Sequence, residues 1–404
     1  MDHYQYTEWP CYSSPANVAL RRFRAQVAAA WREVEGGAGT GGGELEGGRR
    51  PAGPCLVHCH DGGGRSGVFV AMDANIRLAG REGQLDVFSY LGRMRQARPG
   101  LVANQEQYRL VYSLLEEQLE MGDTTSTVQD LRTAAGKDLS GEFSLVNRVL
   151  PRLSQGDCAG GHRLDNRSKN RSVAVLPPDA HRPYITSFQG NDCTDYINAV
   201  FVSGHTQAND FIVTEWPLAN TLQNFWSMVY DHEVTTVVVL DSPRTSNKYP
   251  AFWPHESDRP KKFGPVFTVE KVEGKEAAGA GFSSYSLHLC KKEVAPHRKT
   301  QSLYVDDKQV SSLTNLVVGV TAPARHCQVL QLHSWGQDCL PHNLAQLLGA
   351  ARAHRAASNP ESPVVVVSAD GAERAGVYCT ASHCLDQLQR EKEVDCVHAV
   401  HCVR

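Results

Sequence analysis

Apolar positions along the chain follow two alternating rhythms. Over residues 16–34 they recur every three or four positions and stop at Gly36, which predicts an amphipathic helix. The run from Ser66 (SGVFVAMDANIRLAG) predicts a second helix ending near Gly80, and residues 84–95 and 105–119 predict two more. Short runs rich in β-branched residues read as buried strands: 54–58 (PCLVH), 210–214 (DFIVT), 235–240 (TTVVVL) and 363–367 (PVVVV). Helical period returns over 218–230, and a short helix over 140–150 is stopped by Pro151. Strands alternating with helices predict an α/β fold.

The chain also repeats itself. One copy contains Trp9, Pro15 and the run Cys59-His60-Asp61-Gly62-Gly63-Gly64-Arg65-Ser66-Gly67. The other contains Trp335, Pro341 and Ser368-Ala369-Asp370-Gly371-Ala372-Glu373-Arg374-Ala375-Gly376. Trp to Pro is 6 residues in both copies, Arg65 to Asp86 and Arg374 to Asp395 are both 21, and Arg65 to Arg95 and Arg374 to Arg404 are both 30. Only the span from Trp to the glycine loop differs, 50 residues against 33, and the excess of 17 is about the size of the Gly-rich stretch 36–53, which reads as a surface insertion. The first copy has eight residues before its Trp and the second about 170. The expected organisation is therefore half a domain over 1–121, a linker over 122–161 and a nearly complete domain over 162–404. Such a cut points to a fragment or an incomplete gene model, and predicts that the first piece is unstable alone.

Composition narrows the classes. With 404 residues, 41% hydrophobic and 21% charged, the chain is long enough for two or three cores and too apolar to be disordered throughout. A net charge of −3 offers no basic field for nucleic acid. No apolar run approaches the roughly 18 residues of a membrane helix, so direct membrane insertion is not expected. The 12 cysteines show no regular pairing distances and read as reduced thiols. The run Cys396-Val-His398-Ala-Val-His401-Cys402 reads as a helix with incidental soft side chains, because the first copy carries Val87, Ser89, Gly92 and Arg93 there. Neither a metal nor a cofactor is expected.

A strand, then Cys-x5-Arg-Ser-Gly, then a helix is a device for thiol chemistry on phosphate. Gly62, Gly63 and Gly64 let backbone amides turn inward around a tetrahedral anion, and the helix N-terminus adds favourable partial charge. Arg65 can grip two phosphate oxygens. The same donors favour the Cys59 thiolate as nucleophile, with Ser66 placed to donate to the sulfur.

These residues resemble the receptor-type protein tyrosine phosphatases with tandem cytoplasmic catalytic domains. VHCHDGGGRSGVF is similar to that family's signature, and YTEWPCYSSP to its mobile general-acid loop. SKNRSVAVLPPDAHRPYITS resembles its phosphotyrosine loop, DYINAVFVSG its substrate-facing segment, and NDFIVTEWPLANTLQNFWSMVYDH and YPAFWP its core motifs. The resemblance implies a twisted mixed sheet flanked by helices. It also implies phosphotyrosine-protein substrates, a phosphocysteine intermediate on Cys59, and a cytoplasmic location as the intracellular part of a membrane receptor.

The family pattern is broken at several positions. Cys11 stands where the acid should be, and Glu8 is a weak substitute. In LVANQEQY, Ala103 takes the first position of the water-positioning segment, while Gln107 matches the second. Asp61 puts a carboxylate inside the loop. In the second copy Ser368 replaces the nucleophile, Gln337 the acid, and Glu373 a loop glycine, although Arg374 is kept. Ser172 replaces the ring-stacking aromatic. Lys169, Asn170, Arg171, Tyr196 and Asn198 remain and read as structural. TEWP recurs at 214–217, too far along the chain from either loop to serve as its acid loop. The expectation is a family member with reduced or no turnover and a pseudophosphatase second domain. The alternatives are a scaffold that binds phosphotyrosine or docks another phosphatase domain, and a competent enzyme using Glu8.

Overall fold

The computed structural model describes residues 2–7, 9, 15, 17–36, 54–122, 124–133, 139–149, 153–186, 194–241, 246–254, 259–272, 277–279, 281–293, 320–321, 323–333, 335, 344–359 and 361–403. It forms two compact units, Met1–Thr125 with Lys137–Val149, and Ser126–Gly136 with Leu150–Arg404. The stretch 122–161 is thus shared between them.

The first unit is helical among the described residues: α1 (Asn17–Gly36), α2 (Gly64–Glu82), α3 (Val87–Ala97), α4 (Gln105–Met121) and a short helix Leu139–Val149. Each central helix has its stop signals in the sequence. Asp86 caps α3 by accepting from the Ser89 amide at 3.0 Å, and Asn104 caps α4 by accepting from the Gln107 amide at 2.9 Å. Gly83 ends α2 in the left-handed region at φ 67°. The apolar stripes meet in one core of Leu20, Val68, Met72, Leu91, Leu110 and Leu114. Inside it a buried Arg21–Glu117 ion pair at 2.9 Å ties α1 to α4, with Arg21 Nη2 also donating to the Gly122 carbonyl at 2.6 Å.

Residues 54–58 depart from expectation. They carry no regular secondary structure and pair with no strand among the described residues, and Leu56 is 84% exposed. A strand of PCLVH composition is stable only between neighbours that take its backbone groups and cover its side chains. Among the described residues of this unit there is no sheet to supply them.

The second unit is built on a mixed sheet. Its strands are β1 (Ala199–Val202), β2 (Phe211–Glu215), β3 (Thr236–Val239), β4 (Lys261–Phe263), β5 (Phe267–Lys271), β6 (Ala277–Gly279), β7 (Phe282–Glu293), β8 (Val320–Thr321), β9 (Arg325–Leu332) and β10 (Val364–Ser368). Their spatial order is β1-β2-β10-β3-β9-β7-β5-β4, with β6 and β8 also on β7. Strands β2, β10, β3 and β9 run parallel, and the remaining pairings are antiparallel. Helices α5 (Leu222–Asp231), α6 (Leu344–Ala357), α7 (Glu373–Glu391) and α8 (Cys396–Val403) flank it.

Period-two alternation sorts the valines of β10 between two cores. Val365 and Val367 join Phe225, Val237 and Val239 on one face, while Val364 and Val366 join Val238, Leu347 and Tyr378 on the other. A strand covered on both faces must be apolar throughout, which is why PVVVV and TTVVVL read as unbroken runs. The α/β class with a mixed sheet flanked by helices therefore stands.

Leu114 is fully buried and Leu56 is not. Leu114→Ala should destabilise the first unit by about 2–5 kcal/mol, whereas Leu56→Ala should stay within about 0.5 kcal/mol. Hydrogen exchange of the α2 and α4 amides reads both; equal effects would restore the buried strand.

Candidate active site

Both glycine loops sit at the N-terminus of a 19-residue helix, α2 and α7. They share a conformation. Gly62 has φ 65° and its counterpart Gly371 has φ 69°, a left-handed turn that glycine adopts without strain. The Arg65 guanidinium lies 5.7 Å from the Trp9 ring centroid, and Arg374 lies 5.9 Å from that of Trp335. The repeat seen in spacing is thus a repeat in geometry.

In the first loop, Cys59 is half-buried and Ser66 buried. Burial opposes ionisation of the Cys59 thiol most strongly, but hydrogen bonds from the Ser66 hydroxyl and amide, with the Asp61 amide, together bring the thiol below its ordinary range. Asp61 Oδ1 accepts from Cys59 Sγ at 3.2 Å and from the Gly63 amide at 2.9 Å. The Gly63 amide and the Cys59 thiol, in that order, hold the exposed Asp61 carboxyl below the usual carboxylate range. Arg98 donates to the Asp61 carbonyl at 2.9 Å, pinning the turn.

Gln107 lies over this loop: a Cβ added at Gly64 would stand 2.6 Å from its Nε2. The Ala103 amide donates to Gln107 Oε1 at 2.7 Å, which holds that side chain against the loop. A cleft of 910 Å³ opens beside it, lined by Tyr6, Trp9, Cys59, Arg65, Ser66 and Phe69 among others. Glu8, Cys11 and Gln337 lie outside the described residues.

The second loop is closed on itself. Ser368 is fully buried, and its hydroxyl donates to Asp370 Oδ1 at 3.1 Å. Asp370 Oδ1 also accepts from the Ala372 amide at 3.0 Å, and Oδ2 from the Glu373 amide at 3.4 Å. Arg374 Nη1 stands 2.5 Å from Asp241 Oδ1, and Asp241 Oδ2 accepts from the Ala369 amide at 2.8 Å. Burial raises the Asp241 carboxyl, with that amide and Arg374 opposing.

Sequence reasoning misses Asp241 and Glu215. Glu215 belongs to the TEWP run that distance along the chain sets aside, yet parallel pairing puts it in register with Ser368, and the Trp216 amide donates to the Ser368 carbonyl at 2.7 Å. Burial pushes Glu215 up to about 7, against the Arg171 amide that donates to both its oxygens at 3.1 Å. No motif announces such contacts, because they depend on which strands become neighbours.

Lys169, Asn170, Arg171, Tyr196 and Asn198, expected to be structural, make the following bonds. Lys169 Nζ donates to Thr194 Oγ1 at 2.6 Å, Tyr196 Oη to Asn170 Oδ1 at 2.6 Å, and Asn198 Nδ2 to the Val175 carbonyl at 2.9 Å. Arg171 Nη2 donates to the Trp216 carbonyl at 2.8 Å.

The family model for protein-tyrosine phosphatase matches residues 1–117 and 166–404, so the chain belongs to the protein-tyrosine phosphatase family. It is 26% identical over 405 residues to human receptor-type tyrosine-protein phosphatase zeta, covering 97% of this chain and 15% of that protein. It is 27% identical over 376 residues to the human epsilon protein, covering 87% and 48%, and 27% identical over 372 residues to the chicken U protein, covering 87% and 24%. The chain spans less than half the length of each of these relatives.

The electrostatics of both loops can be measured. Asp61 acts on Cys59 as an acceptor that favours the protonated thiol, so Asp61→Ala should shift iodoacetate alkylation of Cys59 to lower pH and Ser66→Ala to higher pH, read by peptide mass mapping. Unmoved profiles would refute the loop electrostatics. For Glu215 the folded pKa is raised from 4.5 to about 7, so the folded state holds its proton more tightly than the unfolded chain. Stability from this group is greatest below the unfolded pKa and declines as pH rises to about 7. Glu215→Gln should therefore stabilise the second unit at pH above 7, by up to about 3 kcal/mol, and do little in mild acid; urea melts at both pH values measure it.

Proposed function

We propose that the first loop is a crippled phosphotyrosine-hydrolysing centre and the second a pseudophosphatase. The observation that carries this reading is the Asp61 carboxylate bonded to the Gly63 amide and the Cys59 thiol. A substrate phosphoryl group needs those same donors, and it meets a negative charge already on them.

In the proposed reaction the Cys59 thiolate attacks phosphorus, the bond from phosphorus to the tyrosine oxygen breaks, and that oxygen must take a proton. Arg65 and the loop amides hold the phosphoryl oxygens, and Ser66 stabilises the sulfur as it leaves in the second step. Water then attacks phosphorus, releasing inorganic phosphate and restoring the thiolate. With Cys11 in the acid position both proton transfers lack a partner, and a positioned acid typically contributes about 10²–10⁴ in rate. Gln107 alone orients the water.

The second unit has no nucleophile, its loop arginine is committed to Asp241, and Asp370, Asp241 and Glu215 all approach its loop. That arrangement opposes phosphoryl binding at this loop as well as chemistry, so of the two scaffold roles it favours docking of another phosphatase domain over recognition of phosphotyrosine. Placement of both units inside a cell as part of a membrane receptor belongs to the same proposal.

The test is single-turnover kinetics of the full chain on a phosphotyrosine peptide. Slow phosphoenzyme formation, abolished by Cys59→Ser, is expected. Cys11→Asp combined with Asp61→Ala should raise turnover about 10²–10⁴-fold. Turnover that survives Cys59→Ser, or no gain in the double variant, would reject the assignment.

A further inference from the structure

The run Cys396–Cys402 reads as incidental in the sequence because the first copy carries Val87, Ser89, Gly92 and Arg93 at those positions. Folding adds a ligand from outside that run. His383 projects from α7 against α8, and the donor atoms of His383, His398 and Cys402 all lie within 4.8 Å of one another. Cys402 Sγ is 3.6 Å from the ring nitrogens of His398, one helical turn before it. The His383 and His398 rings meet edge to face with centroids 5.4 Å apart.

We propose that these three side chains form a binding site for a zinc-type divalent transition-metal ion. Two imidazoles and one thiolate suit zinc and cobalt(II), with Zn–N about 2.0–2.1 Å and Zn–S about 2.3 Å. Donors a few ångströms apart need only small rotamer adjustments to converge on one ion. His383 and His398 are buried and Cys402 is partly exposed, and three protein ligands would leave the fourth tetrahedral position to water. Binding releases the Cys402 thiol proton and forms a metal–sulfur bond.

The frame that holds the donors is independently built. Asp395 caps α8 by accepting from the His398 amide at 2.9 Å, and its own amide donates to Gln387 Oε1 of α7 at 3.1 Å. On the other side of His383 stands His205, its ring centroid 5.2 Å away and its Nε2 3.1 Å from Glu391 Oε1. The neighbouring thiols Cys384 and Cys396 interact with each other. The first copy provides an internal control, because the helix positions equivalent to His383, His398 and Cys402 carry Ala74, Ser89 and Arg93. The same framework therefore accepts Ala and Ser where the second copy places ligands.

Cobalt(II) titration of the full reduced chain tests the proposal. One equivalent should bind with a thiolate-to-metal charge-transfer band and tetrahedral ligand-field bands. Cys402→Ser should remove the charge-transfer band. His383→Ala and His398→Ser, the residues of the first copy, should each weaken binding by more than the 10–100-fold that loss of even an outer partner typically costs. Cys384→Ser should leave the spectrum unchanged. If the wild type takes up no cobalt, or if its spectrum and affinity survive these three ligand substitutions, the proposal is overturned. Circular dichroism of each variant separates lost ligation from lost folding. A misfolded variant would be replaced in the same test by protection of Cys402 from alkylation in wild type on adding zinc. Absence of that protection would equally overturn the site.

Discussion

Backbone amides turned inward at the start of a helix need an anion, and in this protein each glycine loop provides its own. Asp61 and Asp370 occupy equivalent positions and accept from equivalent amides, those of Gly63 and Ala372. A carboxylate held this way is stabilised by amide donors that an external anion would otherwise take. It fixes the turn of each loop. The Cys59 thiol still falls below its ordinary range despite burial and the carboxylate beside it, because the Ser66 hydroxyl and amide and the Asp61 amide together favour the thiolate more.

The two loops differ in what surrounds them. In the second unit, parallel neighbours on both sides of β10 bring Glu215 from β2 and Asp241 from the end of β3 to the loop. Arg374 is thereby bonded to Asp241 and Ser368 is sealed. In the first unit, the segment before the loop stays unpaired, Arg65 faces the Trp9 ring, and a cleft remains. The same motif is closed in one environment and accessible in the other.

Much of this was legible in the residues. Helices over 17–36, 64–82, 87–97 and 105–121 arose where apolar period and caps placed them, and the valine-rich runs became β3 and β10. Local signals suffice there because capping and period act within a few residues. PCLVH failed as a strand because strand formation is a property of pairs, and its composition carries no information on whether partners are present.

By itself, the sequence determined the repeat, the spacing of Cys59, Arg65 and Ser66 ahead of a helix, and the α/β class. Those features are written in spacing and residue type. Only the tertiary structure decided that Asp61 takes the Gly63 amide, that Glu215 and Asp241 border a loop more than a hundred residues away, and that His383 meets His398 and Cys402. The physical reason is that charge and coordination act over a few ångströms, and chain topology sets which distant residues come that close.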